Sequence, residues 1–177
     1  HTRQRMMGEM ALASGKLERA EKAFRQAIQL AEFSVYKSPD SYIGLARVVH
    51  GRGNPQEALN ILDQMNKVFD SDEAALQAKS LECRIFADNG NDPQTKKSTA
   101  ELLQLLERGE SGRLGPQVAR NIAETLLQLG QTEKALQLLR TEVMNNPEDP
   151  ANLEAVRQIL RKQGLTDEGN ELVENSR

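Results

Sequence analysis

Five glycines punctuate the 177-residue chain at nearly even intervals. Gly15, Gly53, Gly90, Gly130 and Gly164 are separated by 38, 37, 40 and 34 residues. Each one divides two short amphipathic stretches. In "ASGKLERAEKAFRQAIQLA", residues 13–31, Leu17, Ala20, Phe24, Ala27, Ile28 and Ala31 recur at helical spacing on one face. Glu18–Lys22 and Glu21–Arg25 are i,i+4 pairs in the favourable order on the other. Upstream, Met7, Met10, Ala11 and Ser14 form a shorter face that stops at Gly15. The spacing therefore predicts a helical hairpin. The same hairpin returns in "SYIGLARVVHGRGNPQEALNILDQM" and "NIAETLLQLGQTEKALQLLRTEV", more loosely in "LECRIFADNGNDPQTKKSTAELLQLL", and frayed in "VRQILRKQGLTDEGNELV". A hairpin of this size cannot build a core alone, so the units must stack on one another.

Turn chemistry sets the helix starts. Pro55, Pro93, Pro39 and Pro150 follow Asn54, Asp92, Ser38 and Asp149, which suits proline at the first helical position after a capping side chain. Thr132 and Thr166 are further cap candidates. Two short insertions, "FSVYKSPD" and "ERGESGRLGP", separate hairpins. Ten helices are expected, without strands. The expected hairpins are about 1–34, 39–72, 76–109, 116–149 and 150–177, in a single array spanning 1–177.

Composition narrows the function classes. Charged residues make up 28% and apolar residues 38%, which excludes a disordered chain. No apolar run is long enough to span a bilayer. A net charge of −3, 3% aromatics and no Trp argue against a nucleic-acid surface. The single Cys forms no internal disulfide and demands no oxidising compartment, so a cytoplasmic protein is expected. The opening "HTRQRMMGEM" has no hydrophobic signal core and no initiator Met, and reads as a segment of a longer protein.

A two-helix unit near 34 residues resembles the tetratricopeptide repeat, TPR, with bulky residues at repeat positions 4, 7 and 11, small ones at 8 and 20, and often Gly at 15. Met7, Gly8, Ala11, Gly15, Ala20, Phe24 and Ala27 occupy those slots in the first repeat. Tyr42, Leu45, Ala46, Val49, Gly53, Ala58, Leu62 and Met65 do so in the second, and Ile122, Ala123, Leu126, Gly130, Ala135, Leu139 and Pro147 in the fourth. The third departs at Glu82 and Thr99, the fifth at Arg157 and Gly169. The resemblance implies an all-α fold: a right-handed α-solenoid of about five TPR-like hairpins, the last a degenerate cap. The run "RQRMMGEMALASGKLERAEKAFRQAI" with the Lys37–Arg47 stretch "KSPDSYIGLAR" resembles more narrowly the TPR portion of bacterial response regulators. That resemblance implies the output segment of a two-component signalling protein. The alternative is a constitutive TPR scaffold in envelope or pilus assembly.

In TPR proteins the first helix of each pair lines a concave groove. The resemblance places Arg5, Glu9, Ile43, Arg47, His50, Ser80, Arg84, Arg120, Asn121 and Glu124 there. Four arginines in an acidic chain suit bidentate capture of carboxylates, so the expected partner is an acidic or C-terminal peptide segment of another protein. The competing reading is that these arginines pair with Glu9 and Glu124. The Lys/Asn clamp of chaperone-binding TPRs is not matched, since Arg5, Glu9, Gly44 and Arg47 hold its slots.

No catalytic constellation is present, and neither enzyme activity nor a cofactor is expected. Cys83 falls in a small-residue packing slot and reads as a buried thiol. His50 lacks partners at metal-ligand spacing. "GEMALASGKL" has Leu17 where a phosphate loop needs Ser or Thr, and "DNGND" has Thr99 where a calcium loop needs Glu. Met6, Met7 and Met10 read as core or as a face that stacks on a neighbouring repeat. If no repeat covers that face, homodimerisation through the N-terminal end is expected.

Overall fold

The computed structural model describes residues 1–34, 37–108 and 114–174. Among these residues the chain forms ten α-helices and no strand: α1 Thr2–Ala13, α2 Leu17–Glu32, α3 Asp40–Gly51, α4 Pro55–Val68, α5 Asp72–Asp88, α6 Asp92–Arg108, α7 Pro116–Gln128, α8 Thr132–Asn145, α9 Pro150–Lys162 and α10 Thr166–Glu174. Residues 35–36 of the first expected insertion and 109–113 of the second lie outside the described residues. The helices fall into two compact units, His1–Leu106 and Glu107–Arg177.

All five turn glycines have positive φ, from 66 to 84°, and no other described residue does. In every turn the residue after the glycine donates its N–H to the carbonyl five residues back: Lys16 to Ala11, Asn54 to Val49, Asn91 to Phe86, Gln131 to Leu126 and Leu165 to Leu160. This is the Schellman closure, which satisfies carbonyls that the helix end leaves free and needs a left-handed residue. The five glycines are thus one structural device. Gly53, at +84° with open space around its Cα, isolates the backbone cost from packing. Gly53→Ala is expected to lower stability by about 1–2 kcal/mol, measured by denaturant unfolding.

Helix starts follow the expected chemistry in part. Asp149 caps α9, accepting from the Ala151 and Asn152 N–H groups at 3.0 and 3.2 Å. Ser38 Oγ accepts the Asp40 N–H, but Pro39 itself stands at the cap of α3 and the helix begins at Asp40, while Asn54 precedes Pro55 without a side-chain cap bond. At α6, however, the capping side chain is Asn91, which accepts from Gln94 N–H at 3.3 Å; Asp92 already lies within the helix. Thr132 is likewise the first helical residue, after a Gln131 that makes no side-chain cap bond. Ser71 caps α5 through the Ala74 N–H, so that helix begins at Asp72.

In the first unit α1 packs on α2, α2 on α3, α3 on α4 and α4 on α5, so the first two hairpins close on themselves and then on the next. Phe24 is completely buried where this stacking is tightest. Its ring lies over Gly8 of its own hairpin and Gly44 of the next, so close that a Cβ there would sit 2.8 and 2.4 Å from ring atoms. Outside the core, Glu21 ties the two hairpins. It accepts from Arg25 at 2.9 Å and Arg52 at 2.5 Å, while Arg25 reaches Glu57 at 2.6 Å. Burial opposes ionisation of Glu21, but the two guanidinium hydrogen bonds outweigh it and hold the carboxyl below its usual range. In the second unit Ile122, Leu126, Leu139, Val143, Val156, Leu160 and Val173 form the core, each 0–1% exposed.

The two irregular repeats resolve locally. In the third, Thr99 Oγ1 donates to the Thr95 carbonyl at 2.7 Å, and Glu82 meets Lys79, which also reaches Glu101 of α6. In the fifth, Arg157 fills a slot that is small elsewhere, and Gly169 lies against its backbone and Leu160. The missing side chain has moved from one helix of the pair to the other.

Candidate partner-binding groove

The expected groove residues divide between the units. In the first unit α1 packs on α3 and α3 on α5, so the first helices of three hairpins form one layer carrying Arg5, Glu9, Ile43, Arg47, His50, Ser80 and Arg84. Arg120, Asn121 and Glu124 lie on α7 in the second unit, where α7 packs on α9.

In the first unit two of the expected groove residues cross-link neighbouring repeats. Arg5 meets Glu9 at 2.5 Å and Asp40 of α3 at 3.3 Å. His50 Nε2 lies 2.8 Å from Asp88 Oδ2 of α5. The Nδ1 of the same ring is buried with no hydrogen-bond partner among the described residues. Ile43 is half-buried and packs on the core of the unit, and Ser80 is 5% exposed. Arg47 is exposed and Arg84 half-buried, at the same repeat position on α3 and α5.

In the second unit Arg120 serves packing. Its guanidinium hydrogen-bonds Asn152 Oδ1 of α9 and Gln117 Oε1. Asn152, 2% exposed, passes the link on to Glu142 Oε1 at 3.2 Å, which also accepts from Asn146 at 2.8 Å. Burial raises the Glu142 carboxyl, while the hydrogen bonds and the charge of Arg120 pull it back down only in part. Asn121 accepts from Gln117 at 2.9 Å, and Glu124 is half-buried. The partners that sequence reasoning missed are Asp40, Asp88 and Asn152. All sit one repeat away from the residue they bind, and the spacing of the turn glycines is the signal that pairs them.

Cys83 is fully buried against α6, with its thiol hydrogen-bonded to Ser98 and Thr99. Burial pushes the thiol up, against the pull of those bonds. A thiol reagent is expected to leave Cys83 unmodified in the native chain and to label it on unfolding; rapid native labelling contradicts the packing role. Among the described residues no three His, Cys, Asp or Glu side chains converge as a metal site, and no helix is long and apolar enough to cross a membrane.

Family models described as tetratricopeptide repeat match residues 11–81 and 119–151. Among solved structures, nearly identical TPR-like repeats from Podosopora anserina align over 99% of this chain and 92% of that one, at 18% identity and a TM-score of 0.50. BtubC (BKLC) from P. vanneervenii aligns over 96% and 75%, at 16% identity and a TM-score of 0.48. MamA aligns over 99% and 88%, at 12% identity and a TM-score of 0.46. No curated protein sequence matches.

Proposed function

We infer that this chain, an array of tetratricopeptide repeats, is a protein–protein interaction module that works by binding rather than catalysis. The layer formed by α1, α3 and α5 takes an acidic or C-terminal peptide segment of a partner protein. The observation that carries this reading is the repetition of an arginine at one position of successive repeats, Arg47 exposed and Arg84 half-buried. Two guanidinium groups one repeat apart on packed helices can each take a carboxylate of one peptide segment. Arg5 and His50 bridge to Asp40 and Asp88 and hold the helices of this layer together.

Charge reversal tests it. A peptide of alternating Glu and Ala ending in a free carboxylate is the probe, followed by fluorescence anisotropy. Arg47→Glu with Arg84→Glu is expected to weaken binding at least tenfold, since a hydrogen bond to a charged group contributes about 1.5–3 kcal/mol. Unchanged affinity in the double variant would contradict the groove.

A signalling role, as the output segment of a cytoplasmic two-component response regulator, rests on the Lys37–Arg47 resemblance. Packing accounts for much of that stretch. Tyr42 meets the Phe69 ring edge-on at 5.9 Å, Gly44 clears Phe24, and Leu45 and Ala46 are core. Sequencing the full coding region decides the role: an upstream phospho-accepting domain supports it, and a secretion signal supports a constitutive scaffold instead.

A further inference from the structure

Counted back from the turn glycines, Glu9, Arg47 and Arg84 stand at one repeat position on α1, α3 and α5, and Arg5, Ile43 and Ser80 stand four residues before them. Since α1 packs on α3 and α3 on α5, Glu9, Arg47 and Arg84 make a row across the first-helix layer. The row is not uniformly basic. At its α1 end Arg5 lies between two carboxylates, 2.5 Å from Glu9 and 3.3 Å from Asp40. One guanidinium cannot neutralise both, so this end carries excess negative charge. Exposure adds to the imbalance. The Arg5 side chain is 26% exposed, against 49% for Glu9 and 45% for Asp40, so the cation is covered more than the anions. A carboxylate accepts through two oxygens, and Arg5 takes Glu9 Oε1 only. Further along the row the sign changes, to the guanidinium groups of exposed Arg47 and half-buried Arg84. Asp88, which meets His50, lies beyond Arg84 at the turn end of α5 and off this row.

We propose that the segment bound in this layer is bipolar, with a basic residue at Glu9 and acidic residues at Arg47 and Arg84. This rests on the groove reading above and adds a charge order to it. Charge complementarity selects that order. A uniformly acidic segment long enough to cross all three helices sets its last carboxylate against Glu9 and Asp40, and like charges there repel. A basic residue at the same place is attracted. Spacing follows from the packing of the layer. Neighbouring packed helices lie about 8–10 Å apart, and an extended peptide advances about 3.3 Å per residue. Successive charges of the ligand therefore fall about three residues apart. Moving the basic residue to the middle sets a cation against Arg47 and an anion against Glu9. The wrong order is thus rejected by repulsion as well as deprived of attraction, which is how an interface gains specificity.

Two peptides with blocked ends test the order by fluorescence anisotropy. Each contains one lysine and two glutamates separated by pairs of alanine. One runs lysine, glutamate, glutamate and the other glutamate, lysine, glutamate, so composition and net charge are the same. The first is expected to bind about fivefold more tightly, since two pairings turn from attraction to repulsion in the second. Glu9→Lys is expected to level the two affinities, with helix content by circular dichroism unchanged. Glu9→Gln, which keeps the shape of the side chain, is expected to bring the ratio to about twofold. Equal binding of both peptides by the natural chain overturns the charge order, and the groove still stands if the alternating Glu/Ala peptide binds. A preference that survives undiminished in both Glu9 variants overturns it too. Binding of none of the three peptides overturns the groove along with the order.

Discussion

A Phe24→Ala chain is expected to unfold with about 3–5 kcal/mol less stability than the natural sequence. The ring is fully buried and belongs to two hairpins at once, so its loss opens a cavity within one repeat and between that repeat and the next. Gly44→Ala attacks the same contact from the other side. Its new methyl would begin 2.4 Å from the ring, and the ring cannot retreat, because Gly8 bounds it at a spacing equivalent to 2.8 Å. Overpacking of that kind costs about 1–3 kcal/mol, and a double squeeze belongs at the upper end. The two sites are therefore coupled. Phe24→Leu combined with Gly44→Ala is expected to cost less than the sum of the two single changes, since the smaller side chain vacates the space the methyl needs. Strict additivity in denaturant unfolding would show that the contact is not shared.

Glu142→Ala is expected to have the second-largest effect, a loss of about 2–3 kcal/mol. It strips the acceptor from Asn146 and from Asn152, and the latter is almost wholly buried. Glu142→Gln keeps a carbonyl oxygen for both donors and is expected to cost far less. The two variants share a pH signature. Burial raises the folded-state carboxyl above its unfolded value, so the folded chain takes up the proton first as pH falls. The contribution of this group to unfolding free energy is flat near neutrality and rises between the raised value and the ordinary glutamate range. That acid-side rise is expected to vanish in both variants. Its persistence in Glu142→Gln would place the titration elsewhere.

Periodicity carried the fold and much less of the site. The turn glycines were legible because only Gly accepts the left-handed closure without strain, and all five adopt it. The small slots were legible at Ala20, Ala58 and Ala135, each 0% exposed, because tight helix contact leaves room for nothing larger. Caps were less so. Asn91 and Asp92, or Gln131 and Thr132, are adjacent candidates whose difference is a single residue of helix register. The groove was harder still. Repeat position tells which way Arg5 or Arg120 points but not whether a carboxylate or amide from the next repeat has reached it first, as Asp40 and Asn152 have. Those contacts depend on how two hairpins meet, a quantity that no window within one hairpin contains.

The most direct measurement of the account is backbone amide mapping by NMR while the Glu/Ala peptide with its free carboxylate is titrated into the chain. Recognition by the first-helix layer predicts perturbations concentrated on α3 and α5 around Arg47 and Arg84, with α2 and α4 quiet. Perturbations confined to α2 and α4, or none at saturating peptide, would contradict it.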